Sequence, residues 1–194
     1  MAIPTGKTEA HWNYFLAIER DLEVLSRYVE FDERNFRCFS IEIARIVLAA
    51  SAEVDVVCKL VCQANKSNST AKDIKAFRKE IMSVVPDIPD FEVSVPRFGL
   101  TLYPWDEWRS KNSPFWWVAY NKVKHSRDSQ YHEASLKNAL NAVAGLFVVV
   151  LYLYEEKAQS GELLPTPELL RQGPEHQMGV TIPGDNPVYS LRAD

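Results

Sequence analysis

The sequence predicts an all-α fold, an antiparallel bundle of four to five helices with a short extended or β-hairpin insert around residues 90–104. Three observations carry that expectation. Apolar residues recur at the three- and four-residue spacing of one helix face over several long stretches. The chain has 194 residues but only seven glycines, too few for a fold that must turn repeatedly. Pro86, Pro89 and Pro96 fall close together, where they forbid helix and mark the insert.

Thr8 is the expected N-cap of a first helix reaching about Glu30, with Trp12, Phe15, Leu16, Leu22, Leu25 and Val29 at helical spacing. A polar connector, Asp32-Glu33-Arg34-Asn35, follows. Ser40 then caps a second helix running to about Asn65, with Glu42 in its first turn. Apolar residues from Ile41 to Val61 cover most of its circumference, so it is expected to be central. After the loop Lys66-Ser67-Asn68-Ser69, Thr70 is the expected cap of a short third helix through Ile74, Phe77, Ile81 and Met82. Residues 91–95 and 98–103 alternate apolar and polar side chains, as a small hairpin would. Ser113 and Pro114 open a fourth helix as N-cap and first residue. That helix is predicted to end near Ser126, Arg127 and Asp128. A last long helix is predicted from Glu133 to about Gln159, with Leu136, Leu140, Val143, Phe147 and Leu151 inward. Residues 8–158 therefore read as one helical-bundle domain with its insert at 86–112. Residues 159–194, rich in proline and glycine, read as a C-terminal arm or tail.

Composition narrows the function classes. Apolar residues make up 46% and charged residues 25%, as in ordinary globular domains. A net charge of −4 argues against a generally basic nucleic-acid-binding surface but leaves room for a local patch. Cys38, Cys58 and Cys62 read as buried reduced thiols of a cytoplasmic protein. No further ligands lie near them in sequence, so neither a metal site nor a cofactor is expected. The first residues lack the apolar core of a signal peptide. Gly6-Lys7-Thr8 matches only the end of a phosphate-binding loop, without the strand that must precede one. The apolar run from Ala142 to Tyr154 falls short of the roughly 18–20 residues that span a bilayer. A buried core helix, with no membrane partner, is the expectation.

The chemistry concentrates in Phe115-Trp116-Trp117-Val118-Ala119-Tyr120-Asn121-Lys122-Val123-Lys124-His125. On a helix Asn121, Lys124 and His125 share one face. The imidazole of His125 is a natural proton carrier near neutral pH, and Lys124 can hold a phosphate as a point charge. Asn121 can orient the ring or meet a ligand carbonyl, and Arg127 extends the cluster at the helix end. The same cations equally suit the negative end of a helix dipole, without any ligand. The aromatic residues, Trp105, Trp108, Trp116 and Trp117 among them, are expected chiefly to seal the insert against the bundle. Trp116 or Trp117 is also a candidate stacking surface. Glu53 and Asp55 interrupt a small apolar stretch. Asp55 can meet Lys59 four residues on, whereas Glu53 has no cation at that spacing and calls for a partner on another helix. Lys124 or His125 is the expected partner.

Acidic residues in a small apolar helix, then Tyr120-Asn121-Lys122-Val123-Lys124-His125, then Leu136-Lys137-Asn138-Ala139-Leu140 opening a long apolar helix, together resemble the HEPN superfamily. The resemblance covers roughly residues 10–158 and rests on helical order plus one short motif. It implies an all-α bundle, a homodimer, and RNA, a nucleotide or a protein as partner. Many members are metal-independent endoribonucleases whose signature is arginine, four to six residues, then histidine. Counting back from His125, the arginine positions hold Tyr120, Ala119 and Val118. The resemblance therefore implies first a non-catalytic module in which Asn121, Arg127, Glu53 and Trp117 help bind the ligand. The alternatives are a ribonuclease with His125 as general base and Lys124 or Arg127 as phosphate cation, and a structural or oligomerisation module.

Overall fold

The computed structural model describes residues 8–173 and 186–191. These residues form a mostly helical fold with one small sheet. Helix α1 spans Ala10–Leu25 and buries Trp12, Phe15, Ile18 and Leu22. It starts after Glu9, two residues beyond the expected start, and stops before Ser26; residues 26–28 continue only as turns.

Helix α2, Ile41–Asn65, begins where the cap chemistry places it. Ser40 Oγ accepts the Ile43 N–H at 3.2 Å. Helix α3 is Ile74–Ile81. Its cap is Asp73 rather than Thr70. The Asp73 carboxylate accepts two first-turn amides, Lys75 N–H and Ala76 N–H, where a hydroxyl three residues upstream reaches neither. Helix α4, Phe115–His125, starts one residue later than expected, with Pro114 as the cap. A short helix α5, Arg127–Gln130, follows at once.

Helix α6, Leu136–Leu153, is capped by Ser135 and buried around almost its whole circumference. Its long contact with α2 forms the centre of the fold. Among the described residues it is the one helix long and apolar enough to cross a membrane, and 83% of it is buried by the rest of the chain. The single long helix expected up to Gln159 is broken at Tyr154, whose backbone (φ −112°, ψ 37°) leaves the helical region. Helix α7, Glu155–Ser160, follows at once and runs until Gly161 ends it at φ 72°, a conformation that suits glycine.

The insert is a hairpin, as its alternation suggests. Strand β1, Val93–Val95, pairs antiparallel with β2, Leu100–Leu102, and Gly99 supplies the left-handed turn residue at φ 62°. The sheet has a third member that the sequence did not announce. Strand β3, Arg171–Gln172, comes from the C-terminal arm and pairs antiparallel with the other edge of β1.

The described part of that arm packs as firmly as any helix. Leu163, Leu169, Leu170, Tyr189 and Leu191 are buried in the main core. Glu19 of α1, only 2% exposed, accepts the backbone N–H groups of Glu168, Leu169 and Leu170 at 2.8–2.9 Å. Gln172 exchanges two hydrogen bonds with the Ser190 backbone, imitating a peptide unit with its side-chain amide. Gly6 and Lys7 lie outside the described residues.

Candidate functional site

The aromatic half of α4 is structural. Trp105, Trp108 and Trp116 are fully buried and touch one another, with ring centroids 4.3 and 5.2 Å apart. Two of the three bind backbone through their polar edges, while Trp108 Nε1–H is buried without a hydrogen-bond partner among the described residues. Trp116 Nε1–H donates to Pro104 O at 2.7 Å, and Trp105 Nε1–H to Gly145 O at 3.3 Å. Gly145 is what lets α6 approach, because a Cβ there would sit 2.8 Å from the Trp116 ring. Trp117 is 8% exposed and packs against Trp116 and Tyr120. Neither Trp116 nor Trp117 therefore offers a face for stacking. The Trp116 ring packs on Gly145 of α6, and burying each of the two rings stabilises the fold by about 2–3 kcal/mol.

The N-terminus of α4 is held by Glu107, whose Oε1 accepts the Phe115 N–H at 3.3 Å. Its other oxygen is buried without a hydrogen-bond partner among the described residues. Burial first, and the neighbouring Asp106 carboxyl second, push the Glu107 carboxyl up to about 7.

The polar end of α4 is open. Asn121 Nδ2–H donates to Trp117 O one turn back, at 2.9 Å. Lys124 is exposed, with its ammonium 5.4 Å from the centre of the Tyr120 ring. His125 is the last residue of α4, exposed, with no hydrogen bond or ion pair among the described residues. Lys122 binds Glu133 at 2.5 Å and ties α4 to the turn before α6.

Glu53 departs from the expected pairing. It does take a partner from another helix, but that partner is His11 of α1, with Nδ1 and Oε1 2.6 Å apart. Helix geometry explains the choice. Helix α4 meets α2 through Val123 against Ala44. Glu53 is nine residues beyond Ala44, and at about 100° per residue it faces the opposite side of α2. There it meets α1, out of reach of Lys124 and His125. Tyr154 stands beside the pair, its hydroxyl accepting the His11 N–H at 3.4 Å, and a Glu9–Lys157 ion pair lies next to it. Asp55 meets Lys59 as the four-residue spacing requires.

Arg127 is brought to a concave surface. With Arg45 and Asp128 it walls a groove of about 640 Å³ floored by Ile41, Ala44 and Leu48 and edged by Tyr131. Arg45 is held at 2.6 Å by Glu42, whereas Arg127 has no ion pair among the described residues. Ile41 is 70% exposed at the mouth. The groove joins the start of α2 to the α4–α5 junction, segments some 80 residues apart that no local sequence pattern links. Among the described residues, no group of three or more His, Cys, Asp or Glu side chains is placed to hold a metal ion.

Comparison with protein families, with characterised proteins and with solved structures finds no match to this chain.

Proposed function

We propose that this chain is a HEPN-like module of four to five helices that binds RNA or a nucleotide as a homodimer, without cleaving it. One observation carries the reading. Two residues beyond His125, Arg127 walls an apolar groove together with Arg45, so that cations border a surface on which a flat base can lie. Lys124 and His125 extend the same end of α4 with exposed side chains. Asn121 flanks them, and Glu53 supports the opposite side of α2 through His11.

Catalysis is the second reading, favoured by the exposed and unpaired His125 imidazole. Such a ring can accept a 2′-hydroxyl proton, but a general base works best when a third group orients it. No carboxylate among the described residues holds this ring, and Tyr120, Ala119 and Val118 stand where an arginine would stabilise the phosphorane. Lys124 lacks the two-pronged donor set of arginine.

The test is incubation of labelled RNA with the protein in EDTA, beside His125→Ala and Arg127→Ala variants. Binding without cleavage, weakened in Arg127→Ala, is the expected result. Cleavage that disappears in His125→Ala would establish the ribonuclease reading. Absence of both binding and cleavage, with elution as a dimer, would leave an oligomerisation or protein-docking module.

A further inference from the structure

We propose that a single-stranded RNA segment crosses from the Arg127 groove into a second, adjoining groove, where Arg37 and Lys137 hold its phosphates and Phe39 stacks on a base. The proposal rests on the RNA-binding reading above and assigns the path of the strand.

The second groove, about 730 Å³, lies between the connector after α1 and the start of α6. Its cationic lining is Arg34, Arg37 and Lys137, with the His132 ring beside them, against one carboxylate, Glu33. Backbone pairing builds it. Leu136 N–H donates to Cys38 O at 2.9 Å and Lys137 N–H to Phe36 O at 3.2 Å, and Phe39 bridges to Ser135. These bonds pin residues 36–39 to the first turn of α6 and bring Arg37 to the same groove as Lys137. They also occupy the first-turn amides, and Asn138 N–H is taken by Ser135 Oγ. An anion here must therefore be held by side chains, not by the helix terminus.

These side chains differ in how far they are already engaged. Arg34 is bound by Asp32 at 2.8 Å, and His132 lies 4.0 Å from Glu133. Arg37 is exposed and has no hydrogen bond or ion pair among the described residues. Lys137 rests its ammonium 4.8 Å from the Phe115 ring centre, on no carboxylate. In a chain of net charge −4, this patch has the opposite sign to the whole.

An aromatic ridge separates the two grooves. Phe39, 50% exposed, lines the second groove and meets Tyr131 edge-on, with centroids 5.6 Å apart; Tyr131 edges the first. The Tyr131 hydroxyl has no hydrogen-bond partner among the described residues. Cation, ring and cation thus follow one another across the surface. A nucleotide strand alternates phosphate and flat base in the same manner. An acidic peptide would use the cations and leave the half-exposed phenyl ring idle. A duplex keeps its bases stacked inside, out of reach of Phe39.

Fluorescence anisotropy with a labelled oligouridine of about ten nucleotides tests this path on the full chain. Phe39→Leu keeps apolar bulk and removes the ring; it should weaken binding roughly 5- to 100-fold. Arg37→Ala and Lys137→Ala should each lower the salt dependence of log K by about 0.7. A duplex of the same length should bind more weakly than the single strand. Unchanged melting temperatures would show that the variants fold, and Phe39→Met replaces Phe39→Leu if that variant does not. If the oligomer binds and Arg127→Ala weakens it while Phe39→Leu, Arg37→Ala and Lys137→Ala do not, the path is wrong and RNA binding at the Arg127 groove stands. If the wild-type chain binds no oligomer, both readings fall. Displacement by polyglutamate as effective as by unlabelled RNA would overturn the path in favour of an acidic peptide.

Discussion

Replacing Glu19 tests how the C-terminal arm is held. The two carboxylate oxygens divide three donors, with Oε1 taking Leu169 N–H and Leu170 N–H and Oε2 taking Glu168 N–H. Glu19→Ala would strand all three amides, at about 1–3 kcal/mol for each that stays buried. The arm has a cheaper alternative, which is to lift away and let water satisfy them. That alternative is opposed by burial of Leu169 and Leu170, about 1.5–3 kcal/mol each, and favoured by about 1–2 kcal/mol of backbone entropy per freed residue. The two sides nearly balance, so release forfeits chiefly the three hydrogen bonds to the carboxylate, at about 1–2 kcal/mol each; the expected loss is about 3–5 kcal/mol, with release of the arm in place of intact but orphaned amides. Glu19→Gln with its carbonyl at the Oε1 position keeps two of the bonds and sets an amide against Glu168 N–H; it should cost about 1–2 kcal/mol. Urea unfolding gives the loss, and hydrogen exchange at residues 168–170 locates it. The reasoning fails if Glu19→Ala costs less than about 1 kcal/mol, or if exchange at 168–170 stays slow while global stability falls.

Other outcomes follow from the same geometry. Glu107 has its carboxyl raised from 4.5 to about 7, so the folded state holds a proton that the unfolded state releases between those values. Its contribution is complete below about 4.5 and lost as pH rises through 7. Partial exposure and the shared environment with Asp106 discount it to about 1–2 kcal/mol. A urea midpoint that declines over this window in the wild type, and declines less in Glu107→Gln, is expected; parallel profiles would refute it. Gly145→Ala gains about 1 kcal/mol of helix propensity but forces a methyl group onto the Trp116 ring, an overpacking cost of about 1–3 kcal/mol. A lowered melting temperature is expected, and a raised one would show that the ring moves freely. A double-mutant cycle on His11 and Glu53 should give a coupling of about 0.5–3 kcal/mol, whereas Glu53 with Lys124 should give none.

The sequence made visible what short-range physics decides. Helix α2 was readable because a serine cap, an acidic first turn and an apolar period agree over 25 residues. The hairpin was readable from alternation and from prolines. The cap of α3 was misplaced because Thr70 and Asp73 both carry capping side chains and only the backbone path selects between them. Strand β3 escaped because two residues carry no period, and their pairing depends on a buried carboxylate some 150 residues earlier. At the candidate site, the exposed cations at the end of α4 were legible. The burial of Trp117 and the orientation of Glu53 were not, since both depend on which side of a helix its neighbour occupies. The two grooves draw on residues near 37, 45, 127 and 137, and only the folded chain makes them neighbours.

The strand order β2-β1-β3 also bears on how the chain folds. Strand β1 has one partner a few residues away and another about 77 residues on. The hairpin can form early, because it closes a short loop. The other edge of β1 then carries unpaired peptide groups until residues 171–172, which lie beyond α4, α6 and α7 in the chain, arrive. During that interval the open edge is the place where two unfinished chains can pair with each other. Conditions that favour fast docking of the C-terminal segment should therefore raise the yield of refolded protein more than they raise its final stability.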